Sequence, residues 1–224
     1  MATAKTRQKI LKTFLDLLSQ HSYEDVSLPL LAKTAEVKLS ALRECYSSKR
    51  ALVEAFAEMI DTAVLDDRDD EMDDQPAHDR LFDVLMIRLD QLAPYRDAVR
   101  SLGEAVRRDP ALALEFNSIA VRSQRWMLIA AGIDLTGIKG RIVTQGLAMA
   151  FGRVVETWLN ETDEGLPKTM ARLDEELSRG EAWLKRLDSA ENFARPFWEA
   201  GKRARARRSS GEGAEEAGAE TAEP

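Results

Sequence analysis

The stretch Ser27–Phe56, SLPLLAKTAEVKLSALRECYSSKRALVEAF, decides the fold. Ser27 followed by Leu28 and Pro29 has the pattern of a helix N-cap with proline in the first turn, where its missing N–H costs nothing. Leu30, Leu31 and Ala32 carry that helix to Ala35. After the break at Glu36–Lys38, LSALRECY predicts a second short helix with Leu39, Leu42 and Tyr46 on one side. Ser47 or Ser48 then caps a longer helix in which Leu52, Val53, Phe56, Met59 and Ile60 return at helical spacing. Upstream, Ile10, Leu11, Phe14, Leu15, Leu17 and Leu18 form one face of a first helix, with Lys9, Lys12, Asp16 and Ser19 on the other. Two short helices joined by a three-residue turn, between longer ones, make a helix-turn-helix.

The charge pattern agrees with a nucleic-acid role for this end. The chain of 224 residues has a net charge of −7, yet residues 61–74, DTAVLDDRDDEMDD, hold eight acids against Arg68 and account for all of it. Residues 1–50 carry nine bases against five acids, a surplus of four positive charges. A DNA reader must neutralise phosphates and offer donors to base edges. Lys38, Ser40 and Arg43 fall at the start and middle of the second short helix, opposite Leu42. Leu39 and Ala41 offer apolar contact to a thymine methyl, and Lys49 sits where helix N–H groups favour a phosphate. Ser27, capping its helix, adds a backbone phosphate contact. The alternative for each is an ordinary solvated face, and core packing for Tyr46. The acidic stretch lacks the spacing of a calcium loop and is read as a solvated linker.

From Arg7 to Phe56 the chain resembles the DNA-binding domain of TetR-family transcriptional regulators. The resemblance rests on KIL (9–11), LDLLSQHSYEDVSL (15–28), LLAKTAEV (30–37), the run from Leu42 to Leu52, and Phe56. It implies an all-α fold, with an N-terminal three-helix helix-turn-helix domain and a C-terminal helical ligand-binding and dimerisation domain. It also implies a homodimeric repressor of a double-stranded DNA operator, released by a small apolar effector. The DNA-contacting positions become Ser27, Lys38, Leu39, Ser40, Ala41, Arg43, Tyr46 and Lys49. The sequence departs from the family's usual motif at Ser22, Glu36, Leu39 and Arg43. Glu36 stands at the turn glycine, so a non-glycine residue must make the turn and a carboxylate lies near the groove.

Beyond residue 77 the helical pattern continues. Leu81, Val84, Leu85, Arg88, Leu89 and Leu92 define one helix. A second runs from Tyr95 to Arg107, and Asp109 with Pro110 starts a third. After DLTG (134–137) a long helix has Val143, Leu147, Ala150, Phe151, Val154 and Trp158 on one face, thinned by Gly146, Ala148 and Gly152. A last helix covers about 166–187. The expected division is 1–60 helix-turn-helix domain, 61–76 acidic linker, 77–190 effector and dimerisation domain, and 200–224 disordered tail. Met86, Leu89, Trp126, Met127, Leu147 and Phe151 are candidates to line an apolar effector pocket; core packing explains them equally well. Val143, Ala150, Val154, Trp158, Leu173 and Leu177 are candidates for a dimer interface, an intramolecular bundle being the alternative.

The stretches 123–132, 146–159 and 169–177 also resemble lipid-binding ubiquinone-biosynthesis proteins of TetR-like fold. That resemblance implies a lipid or isoprenoid ligand and a vestigial helix-turn-helix. An enzyme is not expected: one cysteine and two histidines leave nucleophilic and His-metal chemistry short of parts. No catalytic residue, metal or cofactor is assigned. The absence of a signal-peptide pattern and of a transmembrane segment implies a cytoplasmic protein.

Overall fold

In the computed structural model, residues 3–68, 72 and 74–186 are described. The chain divides into two compact units, 1–178 and 179–224. In the second, the described residues 179–186 are helical. The expected tail at 200–224 lies outside the described residues.

Local chemistry sets four of the helix starts. Thr3, Ser27 and Ser48 each accept a backbone N–H three residues on, and so open α1 (Ala4–Leu18), α2 (Leu28–Thr34) and α4 (Lys49–Asp66). Between them α3 (Leu39–Cys45) follows Lys38, which caps with no side-chain hydrogen bond. The turn between α2 and α3 passes through Glu36 at φ 54, left-handed backbone that disfavours side chains other than glycine. Further on come α5 (Ala77–Leu92), one 3-10 turn (Ala93–Tyr95) and α6 (Arg96–Arg108). Asp109 accepts from Ala111 and Leu112 to open α7 (Pro110–Ala130), and α8 (Gly137–Asn160) follows. Residues 167–178 form the part of α9 in this unit. No strand occurs among the described residues.

One apolar core runs through the unit from Ile10 and Phe14 on α1 to Leu173 and Leu177 on α9. The helix α7 packs on α4, α5, α6 and α8, and α1 lies against α6. Among the described residues no helix is long and apolar enough to cross a membrane.

Two expectations need correction. First, the stretch read as a solvated acidic linker begins as the last turns of α4, and Asp61 is buried. It follows Ile60 on the inward side and is neutralised by Arg88, so it does not repel. Second, Ala150, Val154, Trp158, Leu173 and Leu177 are buried in their own chain and leave almost no surface for a partner; Val143 is half-buried. Gly146 and Gly152 leave one side of α8 thin: a Cβ at either would meet nothing within 4 Å. They share an outward face of α8 with Ile142 and Met149, the latter 58% exposed.

Candidate nucleic-acid interface

The short helix α3 is anchored by Leu42 and Cys45, both buried, which leaves Leu39, Ser40, Arg43 and Glu44 outward. Leu39 is 52% exposed, an apolar side chain held in water at the start of the helix. Lys38 is exposed and Ala41 half-buried. This face offers two cations, one hydroxyl and an apolar contact, with Glu44 beside them. The carboxylate of Glu36 does not stand alone near it: Lys9 Nζ donates to its Oε2 at 3.0 Å. Ser27 is exposed, but its Oγ accepts from the Leu30 N–H at 3.2 Å. Its hydroxyl proton remains for a phosphate oxygen.

Two of the expected contacts are turned inward. Tyr46 is buried; its hydroxyl donates to the Arg7 carbonyl at 3.1 Å, and the Arg7 guanidinium lies 4.6 Å from its ring centre. Arg7 Nη1 in turn donates to the Cys45 carbonyl at 3.0 Å, so these residues lock the end of α3 to α1. Burial, opposed by Arg7, pushes the Tyr46 phenol pKa up. Lys49 donates from Nζ to the Tyr23 carbonyl at 2.7 Å and sits 4.1 Å above the Tyr23 ring. Burial lowers its pKa, against the pull of Glu24 and Asp25. The ammonium is thus a clamp between α4 and the segment before α2, and its hydrogen bond would have to break for it to reach a phosphate.

The candidate effector residues differ in burial. Leu89 and Met127 are fully buried, Leu147 and Phe151 nearly so, and Met86 is half-buried against the same core. Trp126 is 48% exposed on α7 and points away from that core, because the inward positions of its helix are taken by Ser123, Gln124, Met127 and Leu128. What gathers Met127 and Phe151 is Arg88. Its Nη1 lies 3.6 Å from Met127 Sδ, and its guanidinium sits 5.8 Å from the Phe151 ring centre.

That arginine forms a buried ion pair with Asp61 of α4. Asp61 Oδ1 also accepts from Ser123 Oγ of α7 at 2.6 Å. Arg88 Nε is buried with no hydrogen-bond partner, as is Gln124 Oε1, next in sequence to Ser123. Buried polar atoms are nearly always paired, since leaving one unmade costs about 1–3 kcal/mol. Sequence reasoning missed Asp61, Ser123 and Gln124. A signal did exist for Arg88, a cation at a core position of α5.

No family model matches the sequence, and no curated protein is similar to it in sequence. Solved structures are similar in fold. A TetR transcriptional regulator from Nitrosomonas europaea ATCC 19718 superposes with a TM-score of 0.62 at 23% identity, over 79% of this chain and 98% of that one. The chain has the TetR fold. A TetR regulator from Rhodococcus sp. RHA1 gives 0.59 at 18% identity, over 79% of this chain and 96% of that one. A tetR-family regulator from Streptomyces coelicolor gives 0.57 at 17%, over 86% of this chain and 87% of that one. Within the TetR fold of this chain, the exposed residues of α3 stand on the helix-turn-helix, and the Asp61–Arg88 pair ties α4 to the helices behind it.

Proposed function

We propose that this protein is a DNA-binding transcriptional regulator, acting as a homodimeric repressor that a small, largely apolar effector releases from its operator. The carrying observation is the outward face of α3, where Lys38, Leu39, Ser40 and Arg43 stand clear of the core on a TetR fold. Arg43 supplies a fork of donors for a phosphate or a guanine edge. Lys38 supplies a phosphate contact, and Leu39 an apolar one.

Dimerisation is supported by the outward face of α8. Ile142 and Met149 expose apolar surface there, and Gly146 and Gly152 leave room for close approach of a second copy. Two α3 helices would then enter successive major grooves about 34–36 Å apart. Coupling runs along α4, which starts beside the helix-turn-helix and carries Asp61, the partner of Arg88. An effector lodging against Met127, Phe151 and the two unpartnered polar atoms would shift that pair, and with it the balance between operator-competent and incompetent dimers. The unpartnered donor and acceptor support an effector with one polar group on an apolar body.

Fluorescence anisotropy of the purified protein on DNA flanking its own gene, at about 50 and 200 mM salt and against a scrambled duplex, tests the DNA reading. Selective, salt-dependent binding is expected. Equal or absent binding on both duplexes refutes it and turns attention to a co-purifying lipid, identifiable by mass spectrometry. For the dimer, Met149→Glu should yield monomers in sedimentation analysis; an unchanged dimer refutes the α8 face.

A further inference from the structure

A cleft of about 800 Å³ opens between α1, α4 and the α5–α6 turn, away from every candidate effector residue. One wall is α1, from Lys5 through Lys9 and Lys12 to Ser19. Spanning most of a helix that rises ~1.5 Å per residue, this wall is roughly 21 Å long. The floor and far wall are Leu11, Leu15, Met59, Pro94, Tyr95 and Ala98. Of the three lysines on the α1 wall, Lys9 is taken up by Glu36. No ion pair to another described residue holds Lys5 or Lys12. The acids that face the cleft are Asp16, at the far end of the α1 wall, and Asp97 across from it. Positive charge therefore gathers at the Lys5–Lys12 end, above an apolar floor.

We propose that this cleft is a binding site for an elongated anionic amphiphile. Its carboxylate or phosphate head is drawn to Lys5 and Lys12, and its apolar body lies over Leu11, Leu15, Met59 and Tyr95. Coulomb attraction chooses the sign of the head, and burial of the body supplies most of the affinity. The two walls have different mechanical roles. Arg96 beside Tyr95 donates to the carbonyls of Trp158 and Glu161 and stacks 5.0 Å from the Trp158 ring, so the α5–α6 turn is fixed to the end of α8. The α1 wall belongs to the helices that hold α3. A bound molecule bridges the two and, on the DNA-binding reading proposed above, changes operator affinity from outside the Arg88 core.

Isothermal titration calorimetry of the full chain, without DNA, tests this with dodecanoate, dodecyl phosphate and neutral dodecanol below their aggregation limits. At least one anionic probe should bind with one molecule per chain, and at least tenfold more tightly than dodecanol. The double substitution Lys5→Glu with Lys12→Glu should weaken that probe at least tenfold and leave dodecanol unchanged. Gln8→Trp, an exposed position on the cleft wall, should weaken all probes. Binding of both anions identifies charge alone as the criterion, and binding of one identifies the head group. No anionic binding, dodecanol binding as tight, or anion affinity indifferent to either variant overturns the proposal. These readouts do not depend on whether the protein binds DNA.

Discussion

Glu36 gives a sharp test of the backbone that holds the helix-turn-helix together. At φ 54 it occupies left-handed backbone, which costs a residue with a Cβ about 1–2 kcal/mol. Its carboxylate meets Lys9 at 3.0 Å with both side chains well exposed, and such a pair contributes only ~0–1 kcal/mol. Glu36→Ala removes the pair and keeps the strain. Glu36→Gly removes both, and adds unfolded-chain freedom costing roughly 0.4–1 kcal/mol. Glycine should therefore be more stable than alanine at this position by about 0.5–1 kcal/mol. At an exposed site in a regular helix the order is the reverse, by a similar amount. Urea denaturation followed by circular dichroism measures the difference as a shift in midpoint at constant slope. An alanine variant more stable than the glycine one would refute the left-handed turn. The same Glu36→Gly change should raise DNA affinity more at about 50 than at about 200 mM salt, because it removes a carboxylate whose repulsion salt screens and it frees Lys9.

Other expectations follow from the packing. Arg43→Ala should lower the salt slope of DNA binding by about 0.9 for each phosphate left unneutralised, while Lys49→Ala should keep the slope unchanged and lower the thermal midpoint; the reverse pattern in a salt titration would return Lys49 to the interface. Arg88→Ala, which strands Asp61 in the core, should cost about 3–5 kcal/mol in chemical denaturation, whereas Arg88→Met with Asp61→Leu should be close to neutral. Glu161 is buried. Burial pushes its pKa up, but hydrogen bonds from Thr169 Oγ1 and the Lys168 and Thr169 N–H groups prevail and hold it below the usual glutamate value. A depressed folded-state pKa stabilises the protein above the unfolded value, and that stability disappears as pH falls through the folded one. Acid unfolding below about pH 4.3 should accordingly show a weaker pH dependence in Glu161→Gln, as followed by circular dichroism.

What is legible in the sequence is chiefly local. The Ser27 and Asp109 caps, and a cap at Ser47 or Ser48, follow from chemistry within three residues of each helix start. The turn at Glu36 is marked by the residue that stands where glycine usually does. The partner of a long side chain is not local. Lys49 sits at a helix start, as a phosphate ligand would, but Tyr23, 26 positions away in sequence, captures it. Arg88 is visible as a cation among leucines, while its partner Asp61 is hidden as the first acid of a run of eight. The long helix α8 has apolar residues on two faces. Spacing alone does not say that Leu147, Phe151, Val154 and Trp158 turn into their own chain while Ile142 and Met149 turn out. Ile142 and Met149 are the face to test for a second copy.

The most direct test of the central claim is the ratio of affinities for operator and scrambled duplex, measured by anisotropy for the native chain and for Arg43→Ala. If α3 reads DNA, the native protein discriminates between the two duplexes, and Arg43→Ala reduces the discrimination, weakening operator binding by about 1–3 kcal/mol. A native protein that does not discriminate, or a ratio that Arg43→Ala leaves intact, would contradict the assignment of α3 as the reading helix.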